Sequence, residues 1–396
     1  MLNLKTGRFI GAMLLSCLLF ASSAFAGPVW TFGPEDQGLL KLDYKGQFQL
    51  NYRDTGSGSD SDDDTMEFQF RRNRLALVGL YEGFGIYVQT EYREDTNITN
   101  FAVNDNNNSS FTLLDAQFRF KYNDAVKFRM GKFKHSLTRE NLEACEKPLT
   151  LDRSVLIRSY DIGTRDEGIA MWGNLFEDMF QYRVEVMDGR SYSDDAADSS
   201  FRYGARAHLT FLDKETGFGY RGTYMGAKKV ITLGASYQFE ADIAYENTAL
   251  KQNEVDYQAY SIDFFVEYPV EDVGTFTFST AYVDYDLDDA YKGGALSDID
   301  SVAVGTNGQK NGGYTKFAYM LPNTPLQFFA RAENWSFAHW GVYDQEVDWF
   351  GGGLNYYFRG QNLKLTLEYS TVDFDTEVAD VCEDFDTLTA QLQVIF

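Results

Sequence analysis

Residues 113–122 read Leu-Leu-Asp-Ala-Gln-Phe-Arg-Phe-Lys-Tyr, and their alternation decides the fold. Leu114, Ala116, Phe118, Phe120 and Tyr122 fall on one side of an extended chain, and Asp115, Gln117, Arg119 and Lys121 fall on the other. After Asn123-Asp124 the pattern returns, with Val126, Phe128 and Met130 set against Lys127 and Arg129. Two such strands with so short a link form a hairpin that carries four basic side chains on one wall. The chain ends in the same way: Leu388, Ala390, Leu392, Val394 and Phe396 alternate with Thr389, Gln391, Gln393 and Ile395.

Working outward from this hairpin, similar segments lie near 41–53, 66–80, 84–94, 111–122, 125–133, 167–174, 179–187, 201–211, 229–240, 256–268, 274–285, 313–321, 325–334, 347–358, 362–374 and 387–396. They number about 16, an even count, as a single-chain bacterial barrel requires. Links of two kinds alternate between them. Glu82-Gly83, Asn123-Asp124, Leu175-Phe176-Glu177, 270–274, 322–325 and 359–362 are short, whereas 54–65, 95–110, 134–166, 286–312 and 375–386 are long and polar. The pattern predicts an all-β transmembrane antiparallel β-barrel with short periplasmic turns and long external loops. The stretch DKETGFGYRGTYMGAKK, residues 213–229, is too long for its periplasmic place, and the sequence offers no reason for the excess. A soluble sandwich or propeller also alternates, but no blade or sandwich repeat is visible.

Composition agrees with a barrel. The 396 residues include 33 Phe and 26 Tyr but only 6 Pro, and after the N-terminus no apolar run approaches the roughly 18 residues that a spanning helix needs. Residues 1–26 read as a cleaved export signal: Lys5 and Arg8 are followed by an apolar stretch and by Ala24-Phe25-Ala26, leaving 27–396 as the barrel. Removing that segment takes away two basic residues and no acid, so the net charge of −24 becomes more negative still. Nucleic acid is therefore not an expected partner.

From Phe70 to Gly189 the motifs FRRNRLALVG, YVQTEY, LLDAQFRFKY, FRMGKFKHSLTRENL and RDEGIAMWG follow one another in an order that resembles the phosphate-selective porin O/P family. The terminal Phe396 resembles the ending by which outer-membrane barrels are recognised for insertion. The resemblance implies a 16-stranded homotrimer in the outer membrane of a Gram-negative bacterium, in contact with lipid and lipopolysaccharide. It also implies a third external loop folded into the pore; here that loop is 134–166, with Lys134, His135, Arg139, Lys147, Arg153, Arg158 and Arg165. In such a family basic wall residues lead anions inward, and the positions that fit by parity are Arg71, Arg93, Arg119, Lys121, Lys127, Arg129, Lys132, Arg183 and Arg206. The expected function is a water-filled channel for passive diffusion of small hydrophilic solutes, with anions such as phosphate as one possibility. Acids of the same predicted face weaken phosphate specificity: Glu91, Asp115, Glu185, Asp263, Glu267, Glu333 and Glu368. The acidic mouth around Asp60 to Asp64 and Asp375 to Asp386 weakens it further.

Other chemistry is thinly supported. The acid runs lack the spacing of a calcium loop and read as solvated charge, so no metal is expected. His135, His208 and His339 belong to no hydrolase or metalloprotease motif, and neither enzymatic activity nor a cofactor is expected. Cys145 and Cys382 both lie on external loops, where a disulfide is possible. The alternative function is a barrel sheath around a multihaem cytochrome, which would have to be a separate chain because no C-x-x-C-H haem motif is present. A third reading, an adhesin or receptor, rests on the long external loops alone.

Overall fold

A computed structural model describes residues 27–54, 64–93, 110–154, 164–190, 197–198, 200–247, 250–287, 309–340, 343–377 and 383–396. The expected signal segment 1–26, Asp60 to Asp63, Arg158 and Cys382 lie outside these described residues. The strands are β1 (Val29–Phe32), β2 (Gly38–Arg53), β3 (Thr65–Tyr81), β4 (Phe84–Arg93), β5 (Ser110–Lys121), β6 (Lys127–Phe133), β7 (Asp166–Leu175), β8 (Phe180–Met187), β9 (Arg202–Leu212), β10 (Val230–Asn247), β11 (Gln252–Val270), β12 (Gly274–Asp286), β13 (Gln309–Met320), β14 (Leu326–Trp340), β15 (Tyr343–Gln361), β16 (Leu363–Phe374) and β17 (Phe385–Ile395).

Each strand from β2 to β17 pairs antiparallel with its sequence neighbours, and β17 returns to pair with β2, Thr387 opposite Arg53 and Ile395 opposite Lys45. The result is a closed 16-strand antiparallel barrel. Closure satisfies every ladder within the protein, the condition under which a sheet can sit in hydrocarbon. The short β1 pairs with the start of β2 below the end of β17, and Tyr44 and Phe396 exchange backbone hydrogen bonds at 2.6 and 3.0 Å, which pins the C-terminus. Glu82 and Gly83 both adopt positive φ, 45° and 87°, the geometry that a two-residue hairpin between β3 and β4 demands.

The barrel's polarity is that of a membrane span through most of its height and then reverses. Along β12, Phe276 and Tyr282 are exposed outward while Thr277 and Ser279 are buried inward. Past Tyr282 the outward residues are Asp284 and Asp286, and the inward ones, Val283 and Tyr285, are apolar and buried. The same exchange occurs on β16 beyond Tyr369, where Asp373 faces out and Val372 and Phe374 face in. A lipid-facing surface cannot carry a row of carboxylates, so the tyrosines mark the outer edge of the hydrocarbon. Above it the strands stand in water and enclose their own apolar cluster, including Trp335, Phe337, Val347 and Trp349.

This reversal explains where sequence reading stopped short. The expected ends at 240, 256, 334 and 347 are extended to Asn247, Gln252, Trp340 and Tyr343, because an apolar-outward rule loses its signal once the strand leaves the bilayer.

Candidate functional site: the occupied lumen

The link between β6 and β7 folds into the barrel. Leu137, Leu142, Leu149 and Leu151 are buried; Leu137 packs with Ile243, Tyr257 and Val283, and Leu149 packs with Ala318 and Phe329. A single helical turn, α1 (Arg139–Leu142), begins at Thr138, whose hydroxyl accepts from the Asn141 amide at 2.9 Å. That cap satisfies an otherwise orphaned donor inside the lumen. Between Lys134 and Ser154 the loop carries four acids besides its bases, and all four have partners. Glu146 pairs with Lys45 at 3.0 Å, Asp152 with Arg71 and Arg72 at 2.8 and 2.7 Å, Glu143 with Arg139 at 3.6 Å, and Glu140 with Lys316.

The excess between β9 and β10 also turns inward. Glu215, Phe218, Tyr220 and Thr223 are buried, and this strap meets the loop from below. Glu143 and Tyr220 form a parallel bridge, and the fully buried Arg139 guanidinium donates to both Glu215 oxygens at 2.7 Å each. Loop and strap together wall a cavity of about 310 Å³, whose lining includes Lys45, Arg74, Arg119, Arg129, Lys134 and Arg165.

Most lumen carboxylates are already neutralised. Glu91 holds Arg74 at 2.5 Å, Asp115 holds Arg165 at 3.0 Å, Asp263 holds Arg206 at 2.6 Å, and Glu333 and Glu368 share Arg331. Glu185 accepts from the Ser136 amide at 2.6 Å, and Glu267 accepts from the Tyr224 and Gly226 amides and the Thr223 hydroxyl. Arg119 and Arg129 differ. They stand directly opposite each other on β5 and β6, and both donate to one acceptor, Gln117 Oε1, at 3.0 and 2.9 Å. Among the described residues neither has a carboxylate partner, and nor does Lys134, whose Nζ contacts the Glu143 carbonyl and Cys145 Sγ. Like charges directly across a ladder are unfavourable. Aromatic faces relieve part of that cost, with Arg119 over Tyr87 at 4.7 Å and Arg129 over Phe218 at 3.8 Å.

The remaining expected pore residues divide. Arg183 faces in but lies behind the strap, donating to the Phe218 carbonyl at 2.7 Å. Arg206 also faces in, its charge taken by Asp263. Lys127 is buried over Trp172, 4.5 Å from the ring centroid, while Lys121 sits at the exposed rim and pairs with Asp124 at 2.8 Å. Nothing is described of the Arg93 side chain. Lys132 is corrected to the outer wall: it pairs along the ladders with Ala116 and Glu167, and its ammonium lies 3.8 Å from the exposed Glu167 carboxylate. Parity explains this, because Lys132 stands three residues beyond Arg129. Arg71 reaches inward from an irregular position, pairing with Asp152 of the loop at 2.8 Å. It is the extra residue of a β-bulge opposite Gln47–Phe48, after which the regular inward positions are Arg72 and Arg74.

In the loop, His135 is buried against Gln238 Nε2 at 3.0 Å, Lys147 and Arg165 line the cavity, and Arg153 donates to the Glu140 and Asn141 carbonyls at 3.1 Å. Cys145 is a buried free thiol, and Cys382, with which a bridge was possible, lies outside the described residues. Sequence reading missed Arg202, Lys316, Arg331 and Lys364, all buried in the lumen wall. Parity with the neighbours Arg206, Ala318, Glu333 and Thr366 would have found them.

A closed barrel narrowed by an internal loop is the architecture of a porin. Residues 42–217 match the family model described as phosphate-selective porin O and P, which bears out the resemblance carried by the motifs between Phe70 and Gly189. No curated protein sequence matches the chain. Among solved structures, Salmonella typhi OmpF in complex with daunomycin is similar at 12% identity over 92% of this chain and 99% of its own, with a TM-score of 0.59. An anion-selective porin from Comamonas acidovorans is similar at 10% identity over 91% and 100%, with a TM-score of 0.56. OmpT of Vibrio cholerae is similar at 11% identity over 93% and 100%, with a TM-score of 0.53. At these identities the likeness is one of fold. Barrel, inward loop and family match together define an outer-membrane channel. The cytochrome-sheath alternative finds no support, since the protein's own segments occupy the bore a partner would need.

Proposed function

We propose that the protein is a passive channel with a preference for small anions, inorganic phosphate among them, in the outer membrane of a Gram-negative bacterium. The observation that carries this reading is the Arg119–Arg129 pair beside the cavity: among the described residues, two opposed guanidinium groups with no carboxylate in ion-pair contact, in a lumen most of whose acids are partnered. A positive charge that no neighbour neutralises is available to a passing ion, whereas a paired one contributes little field. The acids that weakened the reading at the level of sequence lose most of their force through Arg74, Arg165, Arg206 and Arg331. The match to a family described as phosphate-selective, and the fold likeness to a porin described as anion-selective, support the same reading.

Assembly as a homotrimer and removal of residues 1–26 belong to the proposal. Native mass in detergent and the N-terminal sequence of the mature protein test them. The function itself is tested by the reversal potential in a planar bilayer under a KCl gradient, followed by phosphate titration. A reversal potential on the anion side, with phosphate reducing chloride current, is the expected result. Cation preference would overturn the assignment of Arg119 and Arg129 and leave a general porin.

A further inference from the structure

The other periplasmic links, such as Glu82-Gly83 and 271–273, close their hairpins in a few residues. The strap 213–229 takes far more, and its course through the lumen is fixed at both ends. Near the wall, the Glu267 carboxylate of β11 accepts from the Tyr224 amide at 2.8 Å, the Gly226 amide at 2.9 Å and the Thr223 hydroxyl at 2.8 Å. Toward the centre, the strap lies backbone to backbone on the loop. The Tyr220 amide donates to the Leu142 carbonyl at 3.3 Å, the Ala144 amide to the Tyr220 carbonyl at 3.1 Å, and the Gly222 amide to the Lys147 carbonyl at 2.9 Å. Glycine is required at 222, because a Cβ there would run into the Leu149 amide and the Pro148 backbone. Between these anchors the Arg139–Glu215 pair is buried and bidentate, and Glu215 also accepts from the Tyr224 and Thr232 hydroxyls at 2.5 and 2.6 Å.

A turn that only closed a hairpin would need none of this. Burying an ion pair and several backbone amides is unfavourable unless each group finds a partner, and here the partners sit across the lumen on the loop. Phe218, Tyr220 and Arg221 line the cavity from the strap side. A solute that reaches the cavity from outside therefore meets the strap on its way to the periplasm.

We propose that residues 213–229 are an inner constriction of the channel, and that strap and loop act as one diaphragm, latched by Arg139–Glu215 and the Glu143–Tyr220 bridge, that sets the size of solute passed. This deepens the channel reading and does not depend on anion preference.

The test compares the full-length protein with three variants, each checked for folding by its heat-modifiable migration in detergent gels. In the first, residues 214–228 are replaced by Asn-Gly. The second is Glu215→Gln. The third is Glu143→Cys with Tyr220→Cys in a Cys145→Ser, Cys382→Ser, Glu215→Gln background, measured oxidised and reduced. The readouts are single-channel conductance and the largest neutral sugar or polyethylene glycol admitted. The strap replacement should raise conductance by about twofold or more and admit larger polymers. Glu215→Gln should move both readouts the same way, and oxidation of the cysteine pair should return them to the wild-type level. A folded strap replacement with unchanged conductance and cut-off would overturn the proposal. If that variant does not fold, unchanged readouts in Glu215→Gln and no effect of oxidation overturn it equally. Silence of the wild type and all variants would remove the channel reading along with it. A wider cut-off without anion preference would uphold the diaphragm and reject only the anion assignment.

Discussion

Replacing Arg129 with Met removes one of the two opposed guanidinium charges while keeping an apolar stem to lie against the Phe218 ring, which the guanidinium now covers at 3.8 Å. A unit charge ~6 Å from an ion's path contributes about 0.7 kcal/mol in a water-like dielectric, and salt at ordinary ionic strength reduces that to roughly half. The charge lowers the energy of an anion and raises that of a cation by the same amount, so it enters the permeability ratio twice. Removing it should reduce the chloride-to-potassium ratio by about threefold with salt screening and by up to about tenfold without it. The assay is the reversal potential across a planar bilayer under a KCl gradient. Arg129→Lys should retain most of the preference, since the charge stays and only the planar fork is lost. The double variant Arg206→Met, Asp263→Leu is the internal control: it deletes an ion pair with a 2.6 Å contact and no net charge, so the ratio should not move. A folded, conducting Arg129→Met channel with an unchanged ratio would refute the reasoning, because the unpaired arginines would then not face the ion's route.

Three further outcomes follow from the same geometry. Burial, and then the neighbouring Arg153, push the Lys134 ammonium down to about 7; it is charged below that pH and neutral above it, so anion preference should fall as pH is raised from 6 to 8.5, and should fall less in Lys134→Met, where the Glu143 carboxyl, pushed up by burial, still ionises beside the cavity. Phe118 is exposed on the outer wall, and Phe118→Arg should cost about 2–4 kcal/mol of folding free energy in lipid vesicles if that wall meets hydrocarbon, with no loss contradicting the register. Arg331→Met leaves Glu333 and Glu368 buried without their shared cation and should cost about 3–5 kcal/mol in denaturant unfolding, part of which Arg331→Met with Glu333→Leu should restore.

The barrel was legible because lipid on one face and water on the other impose a period of two that survives without any knowledge of contacts. Residues 113–122 and 387–396 show it most cleanly, and the structure pairs them as read. Three things were not legible, each for its own physical reason. A bulge adds a residue without changing composition, so nothing in FRRNRLALVG announces that the inward face passes from Gln69 to Arg72 and Arg74. The exit from the membrane reverses the polarity rule itself, which hid the outer ends of β10, β11, β14 and β15. Length alone could show that 213–229 is more than a turn, but its direction depends on partners more than sixty residues away in sequence, Arg139 for Glu215 and Leu142 for Tyr220.

Charge shows the same limit most clearly. A net charge of −24 describes the chain's exterior and external loops, and a composition argument would make this a cation channel. The field along the pore depends instead on which charges lack a partner, a property of pairs and not of residues. Arg74, Arg165, Arg206 and Arg331 are inward cations spent on neutralising acids, so their number says little about selectivity. Glu185 and Glu267 accept from backbone amides, and among the described residues neither forms an ion pair. Among the described residues, the bases beside the cavity without an ion pair are Arg119, Arg129, Lys134, Lys147 and Arg221; the first three come together because β5 and β6 form one hairpin and the loop leaves directly from the end of β6. The opposed pair and its nearest cation thus belong to a single supersecondary unit and its outgoing loop, the unit whose alternation first disclosed the barrel. Substitutions that keep the lumen's total charge but move a carboxylate onto this unit should change selectivity more than substitutions that alter the total elsewhere.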